Sequence, residues 1–132
     1  MLKKSPGGSI FPYFYKGGEL LGLHLGNFGA DEDGVIARIK AEEAFFIEQN
    51  HSIAVWIDFY QTKLTPRVKT EFIAMIRHIR PRLIKLGLVG CSWMEQQKIK
   101  RLVKETDGLS ALPIKFFDDP EKAKTWLVSE GG

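Results

Sequence analysis

The chain has 132 residues, a mass of 15.0 kDa and a formal net charge of +3. This length, with an apolar content of 44%, predicts one domain with a hydrophobic core and excludes a disordered chain. A single cysteine excludes an internal disulfide, and the N-terminus lacks the apolar run of a signal peptide, so we expect a cytoplasmic protein. No stretch approaches the roughly eighteen apolar residues that predict a transmembrane segment.

The charges are unevenly distributed along the chain. Residues 67–104 contain ten Lys or Arg against two Asp or Glu, whereas residues 1–66 are net −2 and residues 105–132 are net −3. A basic surface can attract nucleic acid, anionic lipid or an acidic protein face, but it can also be the solvated side of two amphipathic helices. The predicted basic surface consists of Arg77, Arg80, Lys98, Arg101 and Lys104.

The N-terminal part predicts a tail and a hairpin. Residues 1–9 contain a proline and two glycines, which interrupt regular structure, so a flexible tail is expected before a single domain over residues 10–130. Residues 10–15 and 19–26 predict the two arms of a β-hairpin joined by a Gly-Gly turn. Pro12 indicates an edge position or a bulge in the first arm, because proline cannot donate to a strand ladder.

After the hairpin, helical and apolar segments alternate. A helix is predicted to begin at an Asp cap near residue 31, and another at Thr65, which precedes a proline. Apolar runs at residues 53–57, 86–90 and 113–117 predict strands, and the helical segments between them imply parallel crossovers. The expected fold is therefore α/β, with an N-terminal β-hairpin followed by a mostly parallel central sheet of about five strands flanked by about four helices.

The candidate site lies in the loops that follow the strands, because open α/β sheets bind ligands outside the carboxyl ends of their strands. The predicted rim for a partner or ligand consists of Asp58, Thr62, Thr65, Cys91 and Ser92. Asp58 could accept a phosphoryl group, but no acidic pair follows the preceding strand to hold Mg²⁺, so a loop carboxylate bonded to backbone amides is expected. Cys91 could be a nucleophile at a helix start, although a small buried residue is the expected role.

No residue set predicts a reaction. His24, His51 and His78 have no partners at metal-ligand spacing, so neither a metal nor a cofactor is predicted. No acid–base pair or nucleophile with a base emerges, so no catalytic residue is assigned and an enzyme is not expected. Trp93 and Met94 begin a helix, where large apolar side chains usually close the core, with a pocket or partner interface as the alternative.

The strands at residues 53–58 and 86–90, the basic helix after them and the closing segment 114–127 resemble the STAS-like (SpoIIAA-like) family. The closing segment is the most specific part, with Phe-Asp at the end of a strand and Ala, Trp and Leu in a short helix. The resemblance covers about residues 19–128 and implies a small bacterial, cytoplasmic domain that docks a partner protein without catalysis. It also implies a phosphorylated Ser or Thr after the central strand; the nearest hydroxyls are Thr62 and Thr65, and Thr65, at a predicted N-cap, is the stand-in here.

Three functions follow from these observations. The first is a non-enzymatic regulatory or protein-interaction domain. The second is a protein that binds a small apolar or anionic ligand such as a lipid, whose headgroup the basic face would hold. The third, nucleic-acid binding by residues 67–104, is less favoured, because charged outer faces are ordinary for amphipathic helices. The partner, the strand order and the choice between monomer and homodimer stay open.

Overall fold

The computed structural model describes residues 2–129, so Met1 of the predicted tail and Glu130 at the end of the predicted domain lie outside the described residues. The strands in chain order are β1 (Lys3–Lys4), β2 (Ile10–Phe11), β3 (Tyr13–Tyr15), β4 (Gly18–His24), β5 (Ile53–Asp58), β6 (Leu83–Val89) and β7 (Ile114–Phe117). The α-helices are α1 (Glu32–Glu48), α2 (Pro66–Ile79), α3 (Trp93–Glu105) and α4 (Pro120–Leu127), and a 3-10 turn covers Arg80–Arg82.

Five of these strands form one sheet in the order β3-β4-β5-β6-β7. The β3–β4 hairpin is antiparallel, and every other neighbouring pair is parallel. Val55 pairs with Leu86 and Ile57 with Leu88, so the two most apolar runs are co-directional neighbours. The predicted fold class is confirmed: the chain is one α/β domain with a mostly parallel five-stranded sheet and four helices.

The helices cover the two faces of the sheet unequally. The large core contains one face of β4–β6 and the inner faces of α1, α2 and α3. Each of these helices joins a strand to its immediate neighbour, and crossovers of one hand leave their helices on one side. The other face packs against α4, through Ala123, Trp126 and Leu127 around Trp56. None of the helices within residues 2–129 has the length and apolar character of a membrane span.

The N-terminal segment was expected to be a flexible tail outside the domain, but it lies against the domain. Lys3–Lys4 pair with Ile10–Phe11 in a small antiparallel ladder, and Ser5 is buried. Pro12 separates this ladder from β3, so the single strand expected over residues 10–15 is two short ones, since proline has no N–H for a ladder. Phe11 is buried and anchors the segment in the large core, which explains why residues 3–9 lie against the domain.

Lys85 is a buried lysine in the central strand β6. Its Nζ donates to Trp126 O (2.9 Å) and Ser129 O (2.8 Å), at the C-terminal end of α4. A cation is favourable there because the C-terminal end of a helix carries partial negative charge. The ammonium therefore fastens α4 to the sheet.

Candidate functional site

The carboxyl ends of β4, β5, β6 and β7 meet at one end of the sheet, and the loops that follow them form a continuous rim. Backbone hydrogen bonds continue beyond the ends of β4 and β5: Asn27 N donates to Tyr60 O at 2.7 Å. Gly29 N donates to Gln61 O at 2.8 Å, and Lys63 N donates to Gly29 O at 2.8 Å. These bonds tie the two loops together, so the rim is a fixed surface.

Thr62 and Ser92, two of the predicted rim residues, use their hydroxyls to hold loops and helix ends. Thr62 Oγ1 donates to Leu25 O (2.7 Å) and accepts from Phe28 N (3.1 Å). Ser92 is the N-cap of α3, where its Oγ accepts from Glu95 N at 3.2 Å. The first contribution of both residues is therefore structural, since these bonds satisfy backbone groups that would otherwise lack partners.

Thr65 is the N-cap of α2, as its position before a proline predicts. Its Oγ1 accepts from Val68 N at 3.2 Å and donates to the carboxylate of Glu32. A phosphoryl group on this oxygen would break the cap and place two anions beside each other. The geometry therefore argues against Thr65 as a phosphorylated switch.

Cys91 lies between the end of β6 and the start of α3, where it packs against the large core. Burial, with a smaller contribution from the negative charge of Glu95, raises the pKa of its thiol to about 12. The reactive species of cysteine is the thiolate, so this thiol is protonated and unreactive near neutral pH. The expected role as a small residue packed at a strand end agrees with this position.

Three of the five predicted rim residues, Thr62, Cys91 and Ser92, line one shallow groove of about 380 Å³ between the β5 and β6 loops. Lys63 and Glu95 also line it, so the groove carries both charges and hydroxyls. Its lining is mixed, with Phe59 and Leu64 beside these polar groups, and it is an open groove rather than an enclosed ligand cavity. We call this surface, with the adjoining start of α3, the rim groove.

Trp93 and Met94 stand at the edge of the rim groove, in the first turn of α3. The expectation that they close the core is wrong, because 71% of Trp93 and 63% of Met94 are exposed. The fully buried residue of α3 is Ile99, near the middle of the helix, and the first turn does not pack into the core. Adjacent large apolar side chains on a polar surface are a feature of protein interfaces.

Asp58 faces the opposite side of the sheet from the rim groove. Its Oδ1 lies 2.8 Å from His24 Nδ1, and the two residues are paired in the β4–β5 register. The other ring nitrogen, His24 Nε2, lies 2.8 Å from Ser9 Oγ. The structure thus assembles a serine, a histidine and an aspartate in the order that serine hydrolases use.

The hydrogen bonds of this trio do not form a nucleophile. Ser9 Oγ lies 2.6 Å from the carbonyl oxygen of Gly22, which can only accept, so the hydroxyl proton points there. A hydroxyl proton directed at Gly22 O is then not shared with His24 Nε2. A catalytic serine requires the reverse, with an unprotonated Nε2 that takes the hydroxyl proton.

The trio instead seals the part of β4 that β3 leaves unpaired. Besides the bond from Ser9 to Gly22, His24 N donates to Glu42 Oε2 (2.9 Å) and Arg38 Nη1 donates to His24 O (3.1 Å). Glu42 is completely buried, and burial raises the pKa of its carboxyl above the ordinary 4.5 against the opposing backbone bonds and charges. Side chains therefore replace a neighbouring strand along this edge.

Sequence reasoning missed Ser9 and Glu42 and treated His24 as an isolated histidine. The pairing of His24 with Asp58 has a signal in the sequence, because each residue ends a strand and the two strands become parallel neighbours. The position of Ser9 has no such signal, since it depends on how the N-terminal segment folds back. Within residues 2–129 no three His, Cys, Asp or Glu side chains converge as a metal-binding group.

The five residues of the predicted basic surface do not form one patch. Lys98 and Arg101 border a groove of about 320 Å³ between α2 and α3. Arg80 donates to Leu83 O at 3.2 Å, and Arg77 is exposed on α2. Lys104 lines a separate cleft, between α3 and β7. The basic character of residues 67–104 is therefore divided among separate surfaces.

An apolar cleft of about 360 Å³ separates α3 from β7, and we call it the α3–β7 cleft. Ile99 and Val103 on α3 and Ile114 and Phe116 on β7 contribute apolar side chains, and Lys104 is at its border. Sequence reasoning assigned nothing to this place.

Comparison with known proteins finds no match: no family model, no curated protein and no solved structure matches this chain.

Proposed function

We propose that the chain is a non-enzymatic regulatory or protein-interaction domain, of the STAS-like type that its closing segment resembles, and that it docks a partner protein on the rim groove. The observation that supports this most is the pair Trp93 and Met94, which are 71% and 63% exposed beside the rim groove. Aromatic residues and methionine are enriched at the centres of protein interfaces, and burying them would supply most of the affinity.

The chemistry of the site supports docking over catalysis. The thiol of Cys91 stays protonated, and the hydroxyl of Ser9 is directed at Gly22 O. A fluorophosphonate probe, which reacts with activated serines, should therefore leave Ser9 unlabelled in intact-mass measurements. Stoichiometric labelling at Ser9 would contradict the non-enzymatic proposal.

The test of docking is affinity capture from native cytosol with three forms of the full chain: wild type, Trp93→Ser with Met94→Ser, and Ile84→Ser. Ile84 is a matched control because it is also an exposed apolar residue, 50% exposed, but lies near the opposite end of β6. We expect a stoichiometric partner that the control retains and the double variant loses by at least about tenfold, since interface anchors contribute ~1–2 kcal/mol each. Equal recovery by all three forms, or no stoichiometric partner, would overturn the proposal.

The alternative proposal, a small apolar or anionic ligand, fits the rim groove less well. Lys63 could hold an anionic group, but the hydroxyls and Glu95 around it offer no apolar enclosure. Native mass spectrometry after mild purification tests this alternative, because a bound lipid would add its mass to the chain. A clean apo mass would count against it.

A further inference from the structure

We propose that the outer edge of β7, with the α3–β7 cleft beside it, accepts an extended acidic segment of a partner protein as an added strand. This extends the proposed docking function to a second surface. The strand β7 is last in the sheet order, so only β6 pairs with it. An unpaired edge is a template for another strand, because its backbone donors and acceptors already point outward.

The ladder identifies which backbone groups are open. Leu86 N donates to Pro113 O at 2.9 Å, so Pro113 directs its backbone toward β6. In a parallel pair alternate residues face the partner strand, so Lys115 and Phe117 also face β6. The N–H and C=O groups of Ile114 and Phe116 therefore face outward, and within residues 2–129 no other strand pairs with them.

The cleft supplies pockets for the side chains of the added strand. Side chains of a strand alternate between the two faces of its sheet, so every second side chain of the guest would point toward α3. There it would meet Ile99, Val103 and Phe116 along a cleft of about 360 Å³. Four guest residues would span roughly 13 Å, the length of β7 itself.

The charges select the composition of the guest. Lys100 and Lys104 line the cleft, and Lys115 lies on the edge strand. None of these three lysines has a carboxylate within 4.0 Å in the part of the chain that the structure describes. Lys115 Nζ lies 5.4 Å from the centroid of the Trp126 ring, on the sheet face opposite the cleft, so guest side chains that point away from the cleft would meet it. A guest with apolar residues toward the cleft and Asp or Glu at the alternate positions therefore matches both the cleft and Lys115.

The same lysines disfavour a second copy of this chain as the guest. Pairing two β7 edges would bring Lys115 and the cleft lysines of both copies close together, and like charges across strands are destabilising. A lipid would fill the cleft but leave the outward backbone groups of Ile114 and Phe116 without partners. An extended acidic peptide satisfies the cleft, the charges and the backbone together.

The experiment uses the full chain and a fluorescein-labelled seven-residue peptide of alternating valine and glutamate. Two further peptides carry N-methyl groups, one on the valines and one on the glutamates. Only one of the two sets of backbone N–H groups, those of the valines or those of the glutamates, can donate to β7. The peptide methylated on that set should lose about tenfold in affinity, the equivalent of one or two hydrogen bonds, while the other peptide binds normally. Fluorescence anisotropy gives the affinities, and amide shifts of residues 114–117 locate the peptide.

The protein variants test the charges. Lys115→Glu should weaken peptide binding by at least about tenfold, and Arg77→Glu, on α2, should not. Equal binding of both N-methylated peptides, or laurate binding in the cleft without peptide binding, would overturn the proposal. This failure is distinguishable from failure of the docking function, because the Trp93 and Met94 variants report on the rim groove alone.

Discussion

The two edges of the same sheet are treated in opposite ways. Along β4, the stretch that β3 leaves unpaired is closed by Ser9, Arg38 and a buried Glu42, under a folded N-terminal segment. Along β7, the outer backbone groups face an apolar cleft bordered by lysines that have no carboxylate partner within the described residues. The comparison shows two ways to treat a sheet edge. The β4 edge is closed with a carboxylate, Glu42, whose burial costs free energy, whereas the β7 edge is protected from unwanted strand pairing only by charged lysines.

The largest expected effect comes from opening the closed edge. Glu42→Ala leaves the buried N–H of His24 without an acceptor, so we expect the free energy of unfolding to fall by about 2 kcal/mol. Urea denaturation measures this change. Glu48→Ala, at an exposed position on the same helix, should change it by less than ~0.5 kcal/mol, and similar losses for both variants would contradict the account.

The stability of the domain should also depend on pH, because Glu42 is buried at this edge. The pKa of Glu42 is raised in the folded state above the ordinary 4.5, so the folded chain keeps this proton to higher pH than the unfolded chain does. The contribution of this proton to the free energy of unfolding is fully present below pH 4.5, and it is lost as the pH rises through the raised pKa. Glu42→Gln keeps an acceptor and removes the charge. Relative to wild type, the free energy of unfolding of this variant should therefore increase as the pH rises from 4.5 through the raised pKa. Denaturation curves of both proteins over this pH range measure the difference, and a constant difference would contradict the raised pKa.

Ser9→Ala tests whether the N-terminal segment closes the edge. The variant loses the bonds to Gly22 O and His24 Nε2, and we expect a loss of about 1 kcal/mol. Trypsin should then cleave after Lys4 about fivefold faster, as more of the segment opens. Ser52→Ala, in an exposed loop, is the control, and unchanged cleavage in both variants would show that Ser9 does not hold the segment.

The smallest effect is expected at the open edge. Lys104→Glu should change the free energy of unfolding by less than ~0.5 kcal/mol, because this ammonium makes no ion pair in residues 2–129 and is exposed. Thermal unfolding by circular dichroism measures this difference. A loss above ~1 kcal/mol would mean that the lysine stabilises the fold rather than the edge.

The fold could be predicted from the sequence because its strands and helices have strong local signals. The run at residues 53–57 is apolar on both faces, as a central strand requires, and Thr65 with Pro66 marks a helix start. The N-terminal segment could not be predicted in the same way. Its two-residue strands are stabilised by the burial of Phe11 and Ser5 against distant elements, and no local pattern reports that contact.

The candidate site could be predicted only as a location. The strand-end rule placed Thr62, Cys91 and Ser92 in one groove, but side chains of a strand alternate between faces, so Asp58 turned to the other side. Trp93 and Met94 were expected in the core, with a pocket or partner interface as the alternative, because helical periodicity shows which residues share a face but not which end of the helix leaves the core. Contacts between distant segments decide such positions.

The buried ammonium of Lys85 has a consequence for the docking of α4. Its acceptors at Trp126 and Ser129 are at the far end of the chain, more than forty residues after it. Until α4 docks, this face of β6 is open to water and the ammonium is hydrated, so docking must replace that hydration with the carbonyl oxygens of Trp126 and Ser129. A shortened variant that ends before Ser129 would bury the same ammonium with one carbonyl acceptor fewer, so the closing helix should dock less firmly.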